Sequence, residues 1–262
     1  MKKLIPLLLI LVLYSCKKEE FNPTLTKEFS IQSVSNGATY NIKVALPDNY
    51  NAAQKYATIY VLDGEENFDF VARNCKMLSE DYSKSNVLVV SIGYGNDRAV
   101  DYTPTKINEG GGGAEKFMLF LKNELIPKME SDFGADTQRQ NRIILGHSFG
   151  GLFEVYAFTK YNSVFGNYIM LSPSIWYDNE VVLRYEKENR EINKNNLQVV
   201  FMGLGELENE GRMLAPYRAF YECLKNNYPN LQIISHLEPH LDHNGSKNPN
   251  IQEALKLYFQ YK

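Results

Sequence analysis

No stretch of this sequence is apolar for long enough to cross a bilayer. Its longest hydrophobic run, residues 4–13, falls short of the ~20 residues that a spanning helix needs. Basic charge is not in excess either: 28 Lys and Arg face 31 Asp and Glu, for a net charge of −3. A chain so balanced presents no broad positive field, which argues against nucleic acid as a partner. Cysteine is scarce, and three are too few for a disulfide framework. Four histidines leave a short roll of candidates for any chemistry that needs a base near neutral pH. What is plentiful is Tyr and Phe, 18 and 14 residues, enough for a well-packed core with aromatic pocket walls.

The short apolar run follows Lys2 and Lys3 and precedes Leu13-Tyr14-Ser15-Cys16. A positive start, a short apolar stretch and a small residue before a Cys have the layout of a bacterial lipoprotein signal. Residues 1–15 are therefore expected to be a signal peptide and Cys16 the lipidated residue. Residues 16–26 then form a polar tether, which places the protein in the cell envelope with a lipid anchor in the membrane. The other cysteines, Cys75 and Cys223, are expected to be buried free thiols.

Residues 27–262 read as one α/β domain. Segments 27–34 and 39–46 alternate in polarity and meet through Asn36-Gly37, a hairpin signal. Segments 57–63, 87–92, 141–146, 167–171, 198–202 and 231–237 are nearly continuous apolar runs, as strands buried on both faces require. Helical periodicity covers 68–80, 114–133, 149–161, 213–226 and 251–261. Strands alternating with helices predict a three-layer sandwich around a mostly parallel sheet, with the first hairpin as an antiparallel edge. Residues 93–113 carry no periodicity and end in Gly110–Gly113, which reads as a flexible spacer.

Gly146-His147-Ser148-Phe149-Gly150 fits G-x-S-x-G between an apolar strand and an apolar helix. Small residues two places either side of Ser148 let strand and helix approach at a sharp turn that lifts the hydroxyl clear of the sheet. The same turn aims the Phe149 N–H at an oxyanion. Ser148 is thus the candidate nucleophile. Its base should follow the last strand, where His240 and His243 stand. His243, in the turn-like Asp242-His243-Asn244-Gly245, is the better placed of the two. The acid should follow segment 198–202, and there Glu206, Glu208 and Glu210 alternate. Spacing alone does not choose among them.

Taken with Tyr60-Val-Leu-Asp-Gly64, Arg98-Ala-Val-Asp-Tyr-Thr-Pro104, Gly205-Glu-Leu-Glu208 and Ser172-Pro-Ser-Ile-Trp176, these motifs make the chain resemble the esterase D and enterochelin esterase-like branch of the α/β hydrolases. The resemblance runs from about residue 27 to the end. It implies the α/β-hydrolase fold, with Ser148 as nucleophile, His243 as base and Glu208 as acid. It implies the backbone N–H of Glu65 as a second oxyanion donor beside Phe149. It also puts the helices carrying Cys75 and Cys223 on opposite faces of the sheet.

The expected function is serine-dependent hydrolysis of carboxylic esters, siderophore or polysaccharide-linked (feruloyl or acetyl) esters among them. Neither a metal nor an organic cofactor is implied. An acyltransferase using the same triad and a catalytically silent ligand-binding lipoprotein are the alternatives. Arg98 and Trp176 are candidate substrate contacts; Arg98 reads equally as an ion-pair partner of Asp101 that shapes the 93–113 loop.

Overall fold

A computed structural model describes residues 22, 25–82 and 87–261 of the chain. The expected signal peptide, Cys16 and nearly all of the expected tether lie outside the described residues. The fold opens with a hairpin, β1 (Thr26–Gln32) and β2 (Thr39–Ala45). In β2 the side chains alternate, and Tyr40, Ile42 and Val44 point into the core. Next come β3 (Thr58–Val61), α1 (Gly64–Asp81) and β4 (Leu88–Ile92). Both of these strands are buried at every residue, which is why their sequences are almost continuously apolar.

Residues 93–113 are not a spacer. They hold a short helix, α2 (Arg98–Asp101), and a two-rung ladder of β5 (Lys106–Ile107) and β6 (Gly110–Gly111). A Cβ on Gly110 would run into the Tyr177 hydroxyl and the Thr103 side chain. That glycine permits a close approach of backbone to side chain instead of supplying slack.

The long helical pattern that follows is three pieces: α3 (Ala114–Phe120), a π turn over Leu121–Leu125 and α4 (Ile126–Asp132). Pro127 lies in the first turn of α4. It has no N–H to give the carbonyl four residues back, and the preceding Ile126 N–H reaches the Leu121 carbonyl, five back. The same device recurs later, with a π turn over Glu210–Leu214 just ahead of Pro216.

β7 (Arg142–His147) leads into α5 (Phe149–Lys160), which is apolar on nearly every side and buried through most of its length. β8 (Asn167–Leu171) follows, then α6 (Tyr177–Asn193). No apolar stripe announces α6: its buried residues are only Tyr177, Val181, Val182, Glu186 and Asn193, and its first turn at 178–180 is left-handed. Glu186 is held inside by the Arg190 fork, with contacts of 2.7 Å to both carboxylate oxygens, and by the Tyr228 hydroxyl at 3.0 Å. β9 (Gln198–Gly205), α7 (Ala215–Asn227), β10 (Leu231–Glu238) and α8 (Lys247–Tyr261) complete the chain.

The eight main strands lie in the order β1-β2-β4-β3-β7-β8-β9-β10. β1, β2 and β4 pair antiparallel, and every later neighbour pairs parallel. This is the expected sheet, with its antiparallel edge. α1 and α8 pack on one face around Phe68, Val71, Ile251 and Phe259. The other helices pack on the opposite face around Phe117, Phe153, Phe158 and Phe220. Cys75 and Cys223 are both free thiols on opposite sides of the sheet; Cys223 is half-buried instead of buried. All six parallel strands end at the same rim, where α/β sheets hold their ligands.

Where α5 crosses that rim, a Cβ on Gly151 would stand 2.9 Å from both the Leu171 carbonyl oxygen and the Pro173 Cα, neither of which can swing aside. Gly151→Ala is expected to lower stability by about 1–3 kcal/mol through overpacking. Urea unfolding checks this: the midpoint should fall with the slope unchanged.

Candidate active site

Three strand ends meet at one cleft of about 460 Å³. The first is the β7–α5 turn. Ser148 sits there with φ 60° and ψ −115°, a backbone region that side chains rarely occupy. The glycine pattern of the motif now has its cause: a Cβ on Gly146 would lie 2.7 Å from the Gly150 backbone. The turn is tied to the neighbouring strand by the Ser148 N–H, which donates to the Leu171 carbonyl at 2.9 Å. Phe149 is the first residue of α5, so its N–H belongs to the unfilled donors of a helix start.

The second strand end is that of β9. Of the three alternating glutamates, only Glu208 turns inward. Its Oε1 accepts from the Ser172 hydroxyl at 2.6 Å and the Gly205 N–H at 3.0 Å, while Oε2 accepts from His243 Nδ1 at 2.8 Å. Glu206 accepts instead from the His240 N–H, and Glu210 pairs with Arg218. Burial by itself raises the Glu208 carboxyl, but the hydrogen bonds from His243, Ser172 and Gly205 outweigh it and hold it below the ordinary range. An ionised Glu208 fixes the proton of His243 on Nδ1 and leaves the Nε2 lone pair free to take another.

The third strand end is that of β10, whose following loop carries His243. Asp242 shapes this loop by accepting the Gly245 N–H at 2.8 Å on its side chain. The His243 side chain is 35% exposed while that of Glu208 is fully buried, so the pair is anchored inside and open toward the cleft. His147, the variable residue of the motif, supports it from below. Its Nε2–H donates to the His243 carbonyl at 2.8 Å, and the two rings lie 4.6 Å apart. Burial, then the neighbouring His243 ring, pushes the His147 imidazole down to about 4, so it is neutral at neutral pH.

Arg98 does not pair with Asp101. Its Nε and Nη2 clasp the Asp63 carboxylate at 2.8 and 3.0 Å, and Nη2 also donates to the His147 carbonyl at 3.2 Å. Asp101 accepts from the Tyr40 hydroxyl at 2.7 Å and from Asn96 at 3.0 Å. A short helix and an αL aspartate are thus strapped to the residue before Ser148.

Ser148, Phe149, Glu208, His243, Arg98 and Trp176 all line the cleft. Glu65 is not among its lining residues; its carboxylate accepts the Tyr94 N–H at 2.8 Å, and its N–H belongs to the first turn of α1. Sequence reasoning missed Ser172, Asp63 and Arg212. The first two stand inside the quoted motifs, between a strand end and a Pro or Gly, where a short polar side chain signals a bond to the rim. Arg212, which also lines the cleft, carries no such signal.

The displaced titration of His147 has a consequence for stability. Between pH 6.5 and pH 4 the unfolded chain binds a proton at this residue and the folded chain does not. The contribution is full above pH 6.5 and is lost as pH falls toward 4, by roughly 3 kcal/mol in all. His147→Gln keeps a donor but cannot titrate, so its urea midpoint should fall less than wild type between pH 7 and pH 4.5.

Comparison with known proteins agrees with this architecture. The Esterase family ("Putative esterase") matches residues 33–240. Ferri-bacillibactin esterase BesA of Bacillus subtilis (strain 168) is 30% identical over 219 residues, covering 74% of this chain and 75% of that protein. Apo-salmochelin esterase of Escherichia coli O6:H1 is 33% identical over 165 residues, covering 56% of this chain and 50% of that protein. Among solved structures, the BES protein from Bacillus cereus superposes with a TM-score of 0.81 at 28% identity, over 92% of this chain and 97% of that one. The chain therefore belongs to the Esterase family, as an α/β hydrolase that acts on ester bonds through a serine.

Proposed function

We propose that the protein hydrolyses siderophore esters through an acyl-enzyme on Ser148, with His243 as base and Glu208 as acid. The observation that carries the assignment is the 2.8 Å bond between His243 Nδ1 and the buried Glu208, in the same cleft as a serine with φ 60°. What supports the substrate is the kinship with ferri-bacillibactin and apo-salmochelin esterases. The two lysines, apolar run and Cys16 at the N-terminus support a further element of the reading, that the enzyme works in the cell envelope from a lipid anchor.

In the proposed reaction, Ser148 Oγ attacks the ester carbonyl as His243 Nε2 takes its proton. The developing oxyanion is met by the N–H of Phe149, with that of Glu65 as second donor. Collapse breaks the ester C–O bond, and His243 returns the proton to the departing alcohol. Water then attacks the acyl-enzyme by the same route, giving the free acid and restoring Ser148. No direct hydrogen bond between Ser148 Oγ and the imidazole is closed in the unliganded chain. Catalytic bonds of this kind often tighten only once substrate is bound.

Residues 21–262, expressed without the N-terminal segment, should hydrolyse a short-chain p-nitrophenyl ester and open a catecholate trilactone to linear fragments separable by mass spectrometry. Ser148→Ala and His243→Ala are each expected to lose activity by a factor on the order of 10⁵–10⁶, and Glu208→Gln by about 10³–10⁴. A wild type inert toward both substrates and unlabelled by an organophosphonate would overturn the reading. Turnover of the simple ester without opening of the trilactone would reject the siderophore substrate alone.

A further inference from the structure

Two arginines line the cleft, and they are differently engaged. Arg98 gives its Nε and Nη2 donors to Asp63 and the His147 carbonyl. Arg212 has no ion pair among the described residues. The two carboxylates that most closely precede it in sequence are taken, Glu208 by His243 and Ser172, Glu210 by Arg218 at 2.6 Å. The Arg212 guanidinium lies instead over the Trp176 ring, 3.6 Å from its centroid.

The backbone holds it there. Arg212 sits in the π turn ahead of Pro216, and its N–H donates to the Asn209 side chain at 2.8 Å. π turns often mark functional positions because the extra residue re-aims a side chain. A guanidinium laid flat on an indole keeps its in-plane N–H donors free, in a fork that suits two oxygens.

We infer that Arg212, stacked on Trp176, is the specificity-determining residue of this cleft and reads an ionised oxygen, carboxylate or phenolate, on the acyl group of the ester. The inference rests on Ser148 as the nucleophile of the same cleft. It adds Arg212 to the substrate contacts expected of Arg98 and Trp176. Glu109 and Asp242 line the cleft as well, so it is not a general sink for anions. Selection depends on where the substrate carries its charge.

The test compares mono-p-nitrophenyl glutarate with p-nitrophenyl pentanoate, which have acyl chains of the same length, after subtraction of spontaneous hydrolysis. In Arg212→Gln, kcat/KM for the glutarate ester should fall about tenfold or more relative to that for the pentanoate ester, as loss of a charge-assisted pair predicts. Arg212→Lys keeps the charge without the fork and should lie between. Arg184→Gln removes an exposed positive charge on α6, outside the cleft, and should leave the ratio unchanged. Equal losses for both esters in Arg212→Gln, or the same shift in Arg184→Gln, would overturn the inference.

A second readout does not depend on turnover. Trp176 is the only tryptophan of the chain, so its fluorescence reports from beneath Arg212. In a Ser148→Ala background, monomethyl glutarate should give a saturable change that methyl pentanoate does not. Arg212→Gln should abolish it. If wild type hydrolyses neither p-nitrophenyl ester but this change appears and needs Arg212, the nucleophile assignment fails and the anion contact stands. If the change is missing, or survives in Arg212→Gln, the anion contact fails.

Discussion

At Ser148 the backbone holds a conformation that a residue with a Cβ adopts only at a cost of order 1–3 kcal/mol. The surroundings keep it from relaxing. The Ser148 N–H is fastened to β8 through Leu171, and its carbonyl accepts from Leu152 and Ser174. The preceding carbonyl, that of His147, is held by Arg98, whose Nε and Nη2 also clasp Asp63. Asp63 stands between β3 and α1, and its own N–H donates to the Tyr102 hydroxyl at 3.1 Å. The motifs around 60–64 and 98–104 thus serve one purpose, a brace on the strained turn. Asp63 is nearly wholly buried, so its charge needs the Arg98 fork as much as the turn does.

His243 is fixed by a different kind of restraint. The Glu208 carboxylate has three donors around it, and its second oxygen is given wholly to His243. Hydrogen bonding to the charged form outweighs the cost of burial, which keeps a carboxylate ionised inside the protein. The imidazole above it is then held at two points, Nδ1 by Glu208 and its backbone carbonyl by His147. A neutral His147 suits that place, since it puts no positive charge 4.6 Å from the His243 ring. The histidine beside Ser148 therefore acts on His243 through packing and one hydrogen bond.

Most of the fold was legible because its signals are local. Strands buried on both faces must be apolar nearly throughout, and segments 57–63, 87–92 and 167–171 met that condition. The nucleophile turn was legible because sterics fix its glycines. Elements set by tertiary contacts were not. α6 is a helix with little apolar surface, stabilised by an interior Glu186–Arg190 pair that no periodicity reveals. The 93–113 segment lacks a period because its order comes from Thr103, Val100 and Tyr177 closing on glycines. Spacing could not separate Glu206, Glu208 and Glu210, since which of three alternating side chains turns inward depends on where Ser172 and His243 stand.

The two cleft arginines show why a motif position and a functional position can differ. Arg98 belongs to a recognisable motif, yet its Nε and Nη2 turn inward to the brace on the Ser148 turn. Arg212 belongs to no motif and depends on Pro216 and Asn209 for its aim. A brace that serves the chemistry is tied to the strained turn, and changing it endangers the nucleophile. A contact that selects the acyl group can sit on the π turn before α7, outside the hydrogen-bonded frame of Ser148. In this cleft the brace on the Ser148 turn and the Arg212 contact are therefore carried by different segments, α2 with the β3–α1 junction for the one and the π turn before α7 for the other.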